Sequence, residues 1–191
     1  MHKGRLAAFS DGVLAIIITI MVLELKVPHG TDFASLAPLV PVFVSYVLSF
    51  IYVGIYWNNH HHLFQAVKQV NGAVLWANLH LLFWLSLFPF VSGWMGENHF
   101  AQWTVVLYGV TLIMAGAAYY LLTLVLLAAH GTDSVLVQAI GAKFKERISL
   151  VIYAVAIGLT FVNPWIGVAL YGLVAMVWLV PDRRIEQALG R

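Results

Sequence analysis

The sequence predicts an all-α integral membrane protein with six transmembrane helices per chain, and three observations carry that reading. Hydrophobic residues make up 62% and charged residues only 9%, with a mean hydropathy of +0.89, which is too little charge to cover a soluble domain of 191 residues. Runs of about twenty apolar residues recur from end to end, the length that crosses a hydrocarbon core as a helix. The cationic residues, finally, fall on one side of the membrane when the number of spans is even. A β-barrel is excluded, because its strands alternate polar and apolar residues, whereas here apolar residues fill every position of long runs.

Taken in order, the apolar segments are 6–27, 37–58, 73–95, 103–129, 148–163 and 165–180, and together they form a single domain over residues 1–191. Turn-forming or polar stretches separate them: PHGTD, NNHHHLFQAVKQVN, GENH, HGTDSVLVQAIGAKFKER and the dipeptide Asn163-Pro164. The last break is so short that it predicts a tight antiparallel hairpin, with one broken helix as the alternative. The first run lacks a small-residue cleavage pattern and carries Asp11 and Glu24, so it reads as a retained span rather than a signal peptide.

With the N-terminus inside, Lys3, Arg5, Lys68, Lys143, Lys145, Arg147, Arg183, Arg184 and Arg191 are cytoplasmic, and of the ten Lys and Arg residues only Lys26 is outside. That bias places both termini in the cytoplasm, and a four-span count would scatter the same charges. Trp57, Trp94, Trp103, Trp165 and Trp178 stand near span ends, where tryptophan anchors at the interface.

Several function classes drop out. The net charge of +2 and the lack of a Lys/Arg-rich run argue against nucleic-acid binding, and the absence of cysteine rules out thiol catalysis, disulfides and zinc-thiolate sites. No nucleophile elbow, H-E-x-x-H, P-loop or pair of intramembrane carboxylates is present, so no enzyme activity is expected. Nor is there a T-V-G-Y-G potassium filter. His60, His61 and His62 do not make a metal site, because adjacent helical residues point about 100° apart. Only Asp11 among the acidic residues falls within a span; paired with His80 it offers a thin proton relay, and hence the alternative of a proton-coupled transporter or proton-leak protein.

The first span is patterned differently from the others. On a helical wheel Phe9, Val13, Ile16, Thr19, Ile20, Leu23 and Val27 form one stripe, while Asp11, Leu14, Ala15, Ile18 and Val22 lie on another. Asp11 is about 140° around the helix from Ile16. Charged and polar groups are costly in such a helix, so Arg5, Ser10 and Asp11 point to a polar network that the helix uses.

Arg5 to Asp11 fit R-x-x-x-F-S-D, WNNHHHLFQ (57–65) fits W-x-x-H-x-x-x-F, and NLHLLFWLSLFPF (78–90) carries an N-L…F-P element. In these motifs, and in their order and spacing over roughly the first half of the chain, the sequence resembles the transmembrane-protein-175 family of potassium channels. The resemblance implies a bacterial inner-membrane channel that assembles in the lipid bilayer as a homotetramer around a central pore, permeable to potassium and needing no cofactor. It further implies a pore lined by the first helix, with an apolar constriction in place of a carbonyl filter. Counting from F-S-D, Ile16 is the first constricting ring, Thr19 the hydroxyl layer, and Ile20 and Leu23 further rings. The motif residues Arg5, Phe9, Ser10 and Asp11 group with Trp57, His60 and Asn78 as a network that orients the pore helix.

Overall fold

A computed structural model of the chain describes residues 3–67, 69–130 and 144–179. Lys68, Lys143, Arg183, Arg184 and Arg191 of the charge argument lie outside these residues. Every regular element among the described residues is helical: α1 (Lys3–Leu23), a 3₁₀ turn (Phe33–Leu39), α2 (Val40–Gln65), α3 (Gly72–Ser86), α4 (Phe88–Glu97), α5 (Gln102–His130), α6 (Phe144–Thr160) and α7 (Pro164–Leu179).

The boundaries follow from local chemistry. Asp32 caps the 3₁₀ turn by accepting from the Ser35 amide at 3.1 Å, and these bonds hold its carboxyl below the usual carboxylate range. The turn runs directly into α2, whose first turn carries Pro41. Asn71 caps α3 by accepting from the Val74 amide at 3.0 Å. Pro89 lacks the amide that would continue α3, so the third span breaks at Leu87 and resumes as α4. Asn163 accepts from the Trp165 amide at 2.9 Å and Pro164 opens α7, which makes the sharp reversal between α6 and α7.

Among the described residues four stretches are long and apolar enough to cross a membrane: Lys3–Leu23, Phe33–Gln65, Gly72–Glu97 and Gln102–His130. Helices α6 and α7, with 17 and 16 residues, are shorter and pack along one another as a hairpin, not as one interrupted rod. The first helix ends at Leu23, so Val27 lies in the following loop; Pro28 disfavours helix at the residue before it.

Helix α5 is the central post, packed against α3, α4, α6 and α7, while α1 leans on α2, α3 and α4. Three tyrosines sit at the heart of the bundle, fully buried, and each hydroxyl has a partner. Tyr52 donates to the Tyr171 carbonyl (2.6 Å), Tyr171 to the Val105 carbonyl (3.3 Å), and Tyr108 shares a bond with Ser49 (3.0 Å). With no water in the bilayer, such groups must be satisfied within the protein. At one end of the bundle α4 meets the start of α2 so closely that a Cβ on Gly96 would lie 2.6 Å from the Val42 Cα. The following turn places His99 and Phe100 in the left-handed region (φ 52° and 59°), held by the buried Phe100 ring 4.8 Å from Trp165.

Candidate functional site

Helix α1 has two faces of opposite character. Leu6, Ser10, Leu14, Ile17 and Met21 are buried against the bundle. Ile16 (59% exposed), Ile20 (42%) and Leu23 (75%) are uncovered, as is Thr19 beside them. The Thr19 hydroxyl donates to the Ala15 carbonyl at 2.9 Å, the local bond that lets a threonine sit on an apolar helix face. The uncovered face continues toward the N-terminus through Gly12, Ala8 and Gly4, spaced four residues apart. The sequence reading had put Val13 there instead; Val13 packs against the core. The small residues were legible as spacing, but nothing in the sequence said that this side of α1 goes uncovered in the monomer. Ile18 is partly buried against the core, away from the Ile16 stripe.

The opposite face anchors α1 to α2 and α3 through polar groups. The Ser10 hydroxyl donates to the Leu6 carbonyl (2.9 Å), Asn78 Nδ2 donates to Ser10 Oγ (2.9 Å), and His60 Nε2 bonds Asn78 Oδ1 (2.8 Å). Ser10 and Asn78 are fully buried and His60 nearly so. One residue on, Asp11 accepts from the Trp57 indole at 3.0 Å. Five of the seven residues grouped from the sequence therefore meet here. Arg5 is exposed and bonds no described residue, and Phe9 is half exposed on the uncovered side. Helix geometry separates them: Arg5 lies about 140° and Phe9 about 100° around α1 from Ser10.

The two ends of the molecule are also tied. Lys3 donates to the Gln65 carbonyl (3.1 Å), joining the start of α1 to the end of α2. At the opposite end Lys26 pairs with Glu97 at 2.6 Å, and that bond and charge raise the lysine pKa.

The histidines go separate ways. His60 joins the network, His61 accepts from its own neighbour Gln65 (2.8 Å), and the buried Nδ1 of His62 has no partner among the described residues. Among the described residues no three His, Cys, Asp or Glu side chains converge as metal ligands. His80 is exposed and accepts from Trp84 (3.0 Å); no hydrogen bond links it to Asp11.

The family described as "Endosomal/lysosomal potassium channel TMEM175" matches residues 5–89, the stretch that holds α1, the network and the break at Pro89. A potassium channel of Chryseobacterium sp. (strain P1-3) is 60% identical, over 99% of this chain and 98% of its own length. The crystal structure of a lysosomal potassium-selective channel TMEM175 homolog from Chamaesiphon minutus superposes with a TM-score of 0.82 at 29% identity, covering 93% of this chain and 96% of that one. The human endosomal/lysosomal proton channel TMEM175 is 37% identical over 86 residues, which span 39% of this chain and 17% of the human protein. The relatives that match over nearly their whole length are bacterial, and all are channels and not enzymes. On this evidence the chain is an all-helical membrane protein that belongs to the TMEM175 family of ion channels, among its bacterial members.

Proposed function

We propose that the chain is a potassium-permeable channel of the inner membrane whose pore is lined by α1 from four copies. The observation that carries this reading is the uncovered stripe of Ile16, Thr19, Ile20 and Leu23 on a helix whose other face is bonded to the bundle. A helix anchored on one side and apolar on the other suits a position around a shared axis. Rings of Ile16, Ile20 and Leu23 would present no groups to replace an ion's hydration shell, so ions would pass partly dehydrated and the rings would gate by wetting. Gly12, Ala8 and Gly4 would leave the pore wide on the side of the N-terminus.

In this reading residues 1–191 are one six-span unit with cytoplasmic termini and need no cofactor beyond the permeant ion. The network of Ser10, Asp11, Trp57, His60 and Asn78 fixes the rotation of α1, with Arg5 and Phe9 flanking it. The potassium preference is supported by the bacterial relatives, which include potassium channels of Chryseobacterium and Streptomyces. Asp11 and His80, the residues of the alternative proton relay, are each bonded to a different tryptophan and not to one another. The test is reversal potentials of the purified protein in planar bilayers under potassium/sodium bi-ionic conditions. A channel of this kind gives a potassium-favouring reversal potential without a proton gradient; current that requires such a gradient would reinstate the relay.

A further inference from the structure

A cleft of about 460 Å³ opens between the first turns of α1 and the last turns of α2, within the size range of small-molecule sites. Its mouth and floor differ in charge. Lys3 stands at the mouth, held to the Gln65 carbonyl. Asp11, partly buried, lies about two helical turns further along α1, about 12 Å along its axis. One of its oxygens accepts from Trp57, and the other accepts nothing from any described residue.

His60 lines the same floor, and its protonation pattern follows from the bonds around it. The Ser10 hydroxyl is committed to the Leu6 carbonyl, so Asn78 must donate to Ser10 with its amide nitrogen and accept with its oxygen. His60 therefore donates from Nε2 to Asn78, and in the neutral ring Nδ1 is left as a lone pair. Two residues that line the cleft thus each keep an acceptor not used by any described residue, Asp11 with one carboxylate oxygen and His60 with its Nδ1. Phe64, stacked on the His60 ring at 4.4 Å, and Ala7 make the wall apolar.

We propose that this cleft binds an organic primary ammonium ion, with its nitrogen at Asp11 and His60 and its alkyl part along Phe64 and Ala7. A primary ammonium has three donors for these acceptors, and charge-assisted bonds of this kind are the strong ones. An aromatic wall favours a cation further. Lys3 at the mouth is a like charge that weakens binding and so tunes it. The cleft meets the uncovered face of α1 only at Gly4, and none of Ile16, Thr19, Ile20 and Leu23 lines it.

Calorimetric titration of the purified full chain with n-butylammonium chloride tests this, with tetramethylammonium as the cation that has no N–H. Saturable binding of n-butylammonium is expected, with tetramethylammonium at least about tenfold weaker. Lys3→Gln should tighten n-butylammonium by roughly three- to tenfold by removing the like charge. Ala7→Phe should abolish binding by filling the cleft. If Ala7→Phe does not fold, Lys3→Gln decides alone. Equal binding of the two cations, no saturable binding, or unchanged affinity in Ala7→Phe each overturns the proposal. Weaker amine binding in Lys3→Gln, with glycerol phosphate binding the unmodified chain, would make this an anion site instead. Failure here leaves the bilayer test of the channel untouched.

Discussion

Asn78 of α3 donates a 2.9 Å hydrogen bond to Ser10 of α1, and neither side chain is exposed at all. The same amide accepts from His60 of α2, so one side chain ties together three helices within residues 5–89, the stretch that matches the family. Replacing it by Leu leaves the Ser10 oxygen and the His60 donor buried without their partner. A buried orphaned group costs about 1–3 kcal/mol, whereas hydrogen bonds within membranes contribute on the order of 0.6–2 kcal/mol. Asn78→Leu should lower the midpoint of thermal unfolding in detergent clearly, and an unchanged midpoint would show that the network is slack.

Asp11, about 100° around α1 from Ser10 on the side away from Phe9, bonds the Trp57 indole. Its role in the proposed channel is to hold the rotation of the helix, not to meet the ion. Asp11→Ala should therefore reduce the yield of folded oligomer on size exclusion more than it alters the potassium-to-sodium permeability ratio. A normal oligomer that has lost its selectivity would place Asp11 in the ion path.

Four Ile16 side chains around an axis would make an apolar ring that resists ions by dewetting. Ile16→Asn supplies amide dipoles and lets water stay, so single-channel current should rise and discrimination between potassium and sodium should weaken. Thr19→Val should lower the potassium preference without the gain in current. Ile18 is the control. Partly buried on the bundle side, Ile18→Asn should cost stability while leaving permeation unchanged. Unchanged current in Ile16→Asn beside altered current in Ile18→Asn would mean that α1 is rotated in the assembly.

The close approach of α4 to α2 predicts a steric effect far from the stripe. A Cβ at Gly96 would meet the Val42 backbone, which cannot rotate away as a side chain could. Gly96→Ala should destabilise the fold by about 1–3 kcal/mol, the usual cost of overpacking. A similar melting temperature in the variant would show that the two helices can separate freely.

Reporter fusions test the orientation. With Lys3 tied to Gln65 at one end, α1 and α2 run antiparallel, and in the proposed orientation the basic residues near that end face the cytoplasm. Fusions at both termini should read as cytoplasmic, and a periplasmic signal from either would undo the six-span reading.

The sequence by itself determined the helical membrane class, because apolar runs of spanning length have few other uses, and it located the break at Asn163-Pro164, because proline chemistry is local, whereas the break at Pro89 inside the apolar run 73–95 came only with the structure. It also brought Ser10 and Asp11 to notice, since polar groups at membrane depth stand out against apolar neighbours, while Trp57, His60 and Asn78 were named as their partners only through the family resemblance. Only the tertiary structure decided that Val13 is covered while Gly12 is not, that Arg5 and Phe9 stand apart from the polar chain, and that Lys3, Asp11 and His60 line one cleft. Periodicity gives the angle between residues on one helix, but which angle meets a neighbour depends on how the helices pack. The end of α1 at Leu23, four residues before its apolar run stops, was hidden for the same kind of reason: hydropathy reports the solvent a residue prefers, not the backbone it adopts.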